Sequence, residues 1–206
     1  MRSNKFSKLL LVEGNDDKHV IYALCNHFNV NHNFDVIDCK GIENLMLQIP
    51  VRFKQSGIDT IGIIVDADLD LSSRWQQIHG ILKNIFPELP NKLPKEGLIF
   101  KNENFSVGVW LMPNNVIPGM LEDFIKFLIP NDDEQFPEIK NFLDQLEKNG
   151  INGYKKIHRS KAEIHSWLAV QSDPGTPLGL GITKRYLTIE EDECKNLVQW
   201  LIQLFA

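Results

Sequence analysis

Cysteine is scarce in this chain of 206 residues: Cys25, Cys39 and Cys194 are the three present, far apart and set in apolar or mixed segments. An odd, scattered set implies neither a disulfide framework nor a zinc site, and it suits a reducing compartment. Long apolar runs are missing as well. The run that follows Lys8 is only four residues, too short for the core of a signal peptide, and no later stretch approaches a membrane span. The expectation is a soluble, cytoplasmic protein with no membrane partner. Internal repeats and low-complexity tails are absent too. Positive charge is in short supply: 22 Lys and Arg against 27 Asp and Glu leave a net charge of -5. That excludes the overall basic footprint of an autonomous nucleic-acid binder. Any polyanion has to be gripped locally.

What is present is enough apolar material, 43% of residues, to fill one good-sized core. The first hundred residues alternate strand and helix patterns, the mark of parallel βαβ units. Strands are expected at residues 9–12, 34–39 and 60–65, with helices at about 16–28 and 42–56 and another after Ser72 or Ser73. Asp16 or Asp17 is the expected cap of the first helix, and Pro50 should kink or split the second. Two further strands, 97–101 and 106–112, are spaced as a hairpin, so the sheet should be mixed. Beyond Pro113 the pattern is helical, at 120–129, 137–148, 161–170 and 190–205, with 171–181 a Pro/Gly loop. The fold class is therefore α/β, a mainly parallel, Rossmann-like sheet flanked by helices with a C-terminal helical extension. Residues 1–115 form the core and 116–206 the extension, packed as one compact unit.

Two acidic clusters follow buried-strand patterns: Glu13-Gly14-Asn15-Asp16-Asp17 after residues 9–12, and Asp66-Ala67-Asp68-Leu69-Asp70 after residues 61–65. Ligands of open α/β sheets sit outside the carboxyl ends of the strands. If the two strands are neighbours, Glu13, Asp66 and Asp68 converge, and their repulsion calls for one or two Mg²⁺ or Mn²⁺ ions. On an extended chain Asp66 and Asp68 point to the same face, so both can address the same cation. Asp17 lies one helical turn beyond Glu13. Asp16 and Asp70 read more simply as helix starters, where aspartate is favoured. An EF-hand is excluded, because its sixth position would be Leu71 and its twelfth Gln77.

These residues carry a resemblance. Leu10-Leu11-Val12-Glu13-Gly14-Asn15-Asp16-Asp17 with Ile63-Ile64-Val65-Asp66-Ala67-Asp68 is similar to the Toprim superfamily of topoisomerases, primases, recombination mediators and OLD-type nucleases. Pro118-Gly119-Met120-Leu121-Glu122-Asp123, Lys161-Ala162-Glu163-Ile164-His165-Ser166-Trp167-Leu168-Ala169 and Asp173-Pro174-Gly175-Thr176-Pro177-Leu178-Gly179 resemble motifs of a small standalone Toprim-like family closest to the OLD-type nucleases. The resemblance implies metal ions held by Glu13, Asp17, Asp66 and Asp68, with Glu122 and Lys161 completing the site. It implies cleavage of phosphodiester bonds, in DNA, in genome maintenance or phage defence beside an ABC- or AAA-type ATPase encoded nearby. The catalytic set is then Glu13, Asp66, Asp68 and Lys161, with Asp70, Asp123 and His165 as possible additions.

Alternatives stand beside several of these residues. Glu122 is equally an exposed acid on an amphipathic helix whose core face is Met120, Leu121, Phe124, Ile125 and Leu128. His165, one turn after Lys161, is either a proton carrier or an ordinary helix residue satisfied by a neighbour. Lys155, Lys156 and Arg159, in the most basic stretch of the chain, are either a solvated surface or the local grip on a nucleic-acid backbone. Trp167 reads as core rather than as a base-stacking platform. Tyr22, Tyr154 and Tyr186 lie in no winged-helix cleavage domain, and the primase zinc module is missing. A receiver domain would end well before this length, and a haloacid-dehalogenase phosphatase would want Thr or Val at Asp70. The remaining functional alternative is a Toprim-fold binding or regulatory subunit without catalysis.

Overall fold

The structure is a computed structural model that describes residues 6–206. The N-terminal stretch read above as free of a leader lies mostly outside the described residues. Five strands, β1 (Lys8–Val12), β2 (Asp35–Asp38), β3 (Thr60–Asp66), β4 (Leu98–Lys101) and β5 (Ser106–Met112), form a sheet of order β2-β1-β3-β5-β4. The first four neighbours in that order run parallel, and β4 pairs antiparallel to β5 as the hairpin spacing demanded. This is a mainly parallel, Rossmann-like α/β sheet flanked by helices.

Alternation along the central strands divides the core in two. Leu10, Val12, Ile64, Trp110 and Met112 face one apolar layer, covered by α1 (Asn15–His27), α4 (Leu121–Phe127), α6 (Arg159–Ala169), α7 (Leu178–Thr183) and α8 (Asp192–Phe205). Leu9, Leu11, Ile61, Ile63, Val65, Val109 and Leu111 face the other, covered by α2 (Ile42–Phe53) and α3 (Leu71–Lys83). Both faces are dry, which is why these strands read as unbroken apolar runs. α8 lies directly on the sheet: a Cβ on Gly108 would come within 2.5 Å of Leu204 Cδ2 and 2.8 Å of Trp200 Cζ2. Only a glycine permits that approach. Helix α5 (Gln135–Lys148) packs against α6.

Several local expectations are corrected. The cap of α1 is Gly14, not Asp16 or Asp17: the Asp17 carboxylate, three positions on, accepts the Gly14 N–H at 3.0 Å. Asp70, read above as a helix starter, caps α3 in place of Ser72 or Ser73, accepting the Ser73 N–H at 3.0 Å and its hydroxyl at 2.7 Å. α2 runs through Pro50 as one element and is not split. The expected loop at 171–181 contains the start of a helix, α7, because Gly179 lets it press on the backbone of α1. A Cβ there would lie 2.7 Å from the His19 carbonyl oxygen. Among the described residues no helix is long and apolar enough to cross a membrane.

Candidate functional site

Register places the acids before any side chain is considered. Val12 pairs with Asp38 of β2 on one side and with Ile64 of β3 on the other, so Asp38 and Asp66 end the two outer strands of this trio and Glu13 directly follows the end of β1 between them. They open onto a cleft of about 450 Å³ at the carboxyl edge of the sheet, the usual ligand position in this fold class. Its walls add Asp16 and Asp17 from the start of α1, Lys40 and Gly41 from the turn before α2, Leu121 and Glu122 from α4, and Lys161 from α6. Glu13, Asp17, Asp66, Glu122 and Lys161 are thus brought together, whereas Asp68, expected to converge with Glu13 and Asp66, does not line the cleft.

Backbone N–H groups orient the carboxylates. Glu13 Oε1 accepts the Asp66 N–H at 2.8 Å, tying β1 to β3, and Asp66 Oδ1 accepts the Leu121 N–H at 2.9 Å, tying β3 to the start of α4. A carboxylate has two oxygens, so this anchoring does not exhaust the donor set. Glu122 is 2% exposed. Its Oε1 lies 3.5 Å from Lys161 Nζ, while among the described residues its buried Oε2 has no hydrogen-bond partner. A buried, unpartnered carboxylate oxygen costs on the order of 1–3 kcal/mol or more, so it is a group waiting for a ligand or a proton.

Charge in the cleft is unbalanced. Burial, then the charges of Asp17, Glu13 and Glu122, hold Asp66 well above the usual carboxylate range. Burial, then Glu13 and with it Glu122, push Asp17 up to about 7. Glu13 is raised by burial and, to a smaller extent, by the charge of Asp68, partly countered by the Asp66 N–H and the charges of Arg74 and Lys161. For Lys161 burial works against the ammonium, but Glu122, Asp66 and Asp16 outweigh it and raise its pKa. The donor set, all oxygen and strongly anionic, fits a hard divalent cation. Among the described residues, however, no three His, Cys, Asp or Glu side chains are gathered closely enough to clasp a metal ion as they stand.

Asp68 is not where alternation along a strand would put it. β3 ends at Asp66, and Asp68 takes a left-handed backbone conformation, φ 54°, with its N–H bonded to the Gly119 carbonyl at 2.8 Å. Its carboxylate forms an ion pair with Arg74, which also donates from Nε to the Asp66 carbonyl at 2.9 Å. Asp68 therefore lines a neighbouring hollow with Gly119, Asp123, Lys156 and Ser160, not the cleft. Asp123 is likewise turned away: it accepts the Met120 N–H at 3.0 Å and meets Lys126 and the Ser160 hydroxyl. Asp70 is the α3 cap described above. His165 is exposed and does not line the cleft. Lys155 and Lys156 are exposed, whereas Arg159 is consumed by Asp144, Glu147 and Glu163. Trp167 is fully buried and donates to Asp133 at 3.0 Å, which leaves it no stacking role. The sequence reading missed Asp38, Lys40 and Arg74. The signal for Asp38 was available, since it is a third carboxylate at the end of a strand.

Fold and site together define an α/β protein with a carboxylate-lined cleft at the carboxyl edge of a parallel sheet. Over residues 7–206 the chain belongs to the family described as protein of unknown function (DUF3226). No curated protein and no solved structure matches it.

Proposed function

We propose that the chain is a phosphodiesterase of Toprim type that acts on DNA and depends on Mg²⁺ or Mn²⁺. The observation that carries this reading is the desolvated, charge-unbalanced group of Glu13, Asp17, Asp66 and Glu122, with the Glu122 Oε2 left without a partner. These four carboxylates would hold the cation, which when bound supplies Lewis acidity and an activated water for attack at phosphorus. The chain's own contribution is positional. Glu13 and Asp66 are fixed by the Asp66 and Leu121 N–H groups, so the donors sit on the rigid edge of the sheet. Lys161 keeps its proton and faces the same space, where its ammonium can neutralise charge that builds on the phosphate oxygens. A motif resemblance to OLD-type nucleases supports the same reaction and a working partnership with an ATPase.

One observation favours the alternative, a binding or regulatory subunit without catalysis: Asp68 is locked onto Arg74 outside the cleft. The same experiment decides between them. Supercoiled DNA incubated with Mn²⁺ or Mg²⁺ should be nicked or cut by the wild-type chain, and Asp66→Ala or Glu13→Ala should lower the rate at least 100-fold. Equal activity in these variants would assign the cutting to a contaminant, and no activity in the wild type would favour the regulatory reading.

A further inference from the structure

The cleft has a second cation that no motif above accounts for. We propose that Lys40 grips substrate phosphate on the β2 side of the cleft, opposite Lys161 on the α6 side, so that a DNA backbone crossing the carboxylates is held at both ends. This rests on the phosphodiester reading of the same cleft.

Strand order fixes the placement. β2 is next to β1 and away from β3, so the turn after β2 lies on the far side of Glu13 from Asp66, while Lys161 reaches in beside Glu122. That turn is fastened to the site, because the Gly41 N–H donates to the Glu13 carbonyl at 2.8 Å. Lys40 adopts a left-handed backbone, φ 63°. Lysine in that region costs about 1 kcal/mol where glycine costs little. A turn selected for geometry alone would be better served by glycine or asparagine. Asp38 holds Lys40 in place, accepting its N–H at 2.9 Å and pairing with its ammonium. Burial opposes ionisation of Asp38, but the hydrogen bonds and charge of Lys40 outweigh it and keep its pKa low. The Lys40 side chain is 76% exposed against 10% for Asp38. An ion pair with one partner so exposed is worth under about 1 kcal/mol, so the ammonium can pass from Asp38 to a phosphate oxygen at little cost. Lys40 thus has an oriented base, an exposed head held by Asp38 and a position on the lip of the cleft.

The test uses the full chain and a short fluorescent DNA duplex, titrated in Ca²⁺ over a range of salt, with cleavage in Mn²⁺ followed separately. Lys40→Gly should weaken binding 5- to 10-fold and flatten the plot of log affinity against log salt by about one lost phosphate contact. Lys40→Arg should restore both. Because glycine suits φ 63°, the melting temperature of Lys40→Gly should equal or exceed that of the wild type, which separates loss of grip from loss of fold. Unchanged affinity and slope in Lys40→Gly would overturn the assignment. A wild type that binds but never cuts would sink the phosphodiesterase reading and leave the Lys40 result standing on its slope. A wild type that binds no duplex would overturn both.

Discussion

Glu122 and Asp123 are neighbours in sequence and live in opposite electrostatic worlds. Asp123 faces the seam between α4 and α6, where each acid meets a cation. Lys126 contacts Asp123 at 3.1 Å and Glu163 at 2.7 Å, and Arg159 meets Glu163 at 2.9 Å and Asp144 and Glu147 at 2.8 Å each. Glu122 faces the cleft, where carboxylates outnumber the ammonium groups of Lys40 and Lys161, and although Lys161 lies 3.5 Å from its Oε1 its buried Oε2 goes unpartnered among the described residues. The fold can plainly build compensated ion networks, and a few ångströms away it does not. The paired acids of the seam tie α4, α5 and α6 together, whereas in the cleft the Glu122 Oε2 is left without a hydrogen-bond partner among the described residues.

That contrast breaks apart under substitution. The largest effect on stability belongs to the seam: Glu163→Gln leaves Lys126 and Arg159 short of a buried counter-charge and should cost roughly 2–3 kcal/mol in denaturant unfolding. It should leave Mn²⁺ affinity within about twofold of wild type. A smaller effect, of opposite sign, belongs to the cleft. Asp17 titrates near 7 in the folded chain and near its ordinary 3.8 when unfolded. Between those values the folded state keeps a proton that the unfolded state has lost, so this group lowers stability as pH rises from 4 to 7, with the full cost present above 7. Asp17→Asn should therefore raise metal-free stability at pH 8 by about 1–2 kcal/mol and flatten the pH dependence between 4 and 7. Loss of stability at pH 8 would show that Asp17 serves the capping of α1 more than it burdens the cleft.

How much of this was readable beforehand follows from the range of the interactions. Glu13 and Asp66 were legible because each ends an unbroken apolar run, and parallel sheets present such ends to ligands. Glu122 and Lys161 came from motif resemblance, and the structure adds the contact between them. Asp68 was misplaced because alternation was extended past the strand: the left-handed turn at φ 54° and the capture by Arg74 depend on where α3 begins, which Asp70 decides. Asp38 could have been flagged as a third carboxylate at a strand end, but Lys40 could not, because only the pairing of β2 beside β1 carries it to the cleft. The role of Arg159 could not be read from a basic stretch, since two of its three acidic partners lie on α5. α7 was hidden by its own glycines, which mark close packing on α1 rather than a loop.

The central claim, that the cleft acids await a divalent cation, is tested most directly by titrating Mn²⁺ into the metal-free chain at pH 8 by calorimetry. Wild type should show saturable binding, and Asp66→Asn and Glu122→Gln should each weaken it at least tenfold, about 1.4 kcal/mol, while remaining folded. No binding to the wild type, or equal binding to both variants, would contradict it.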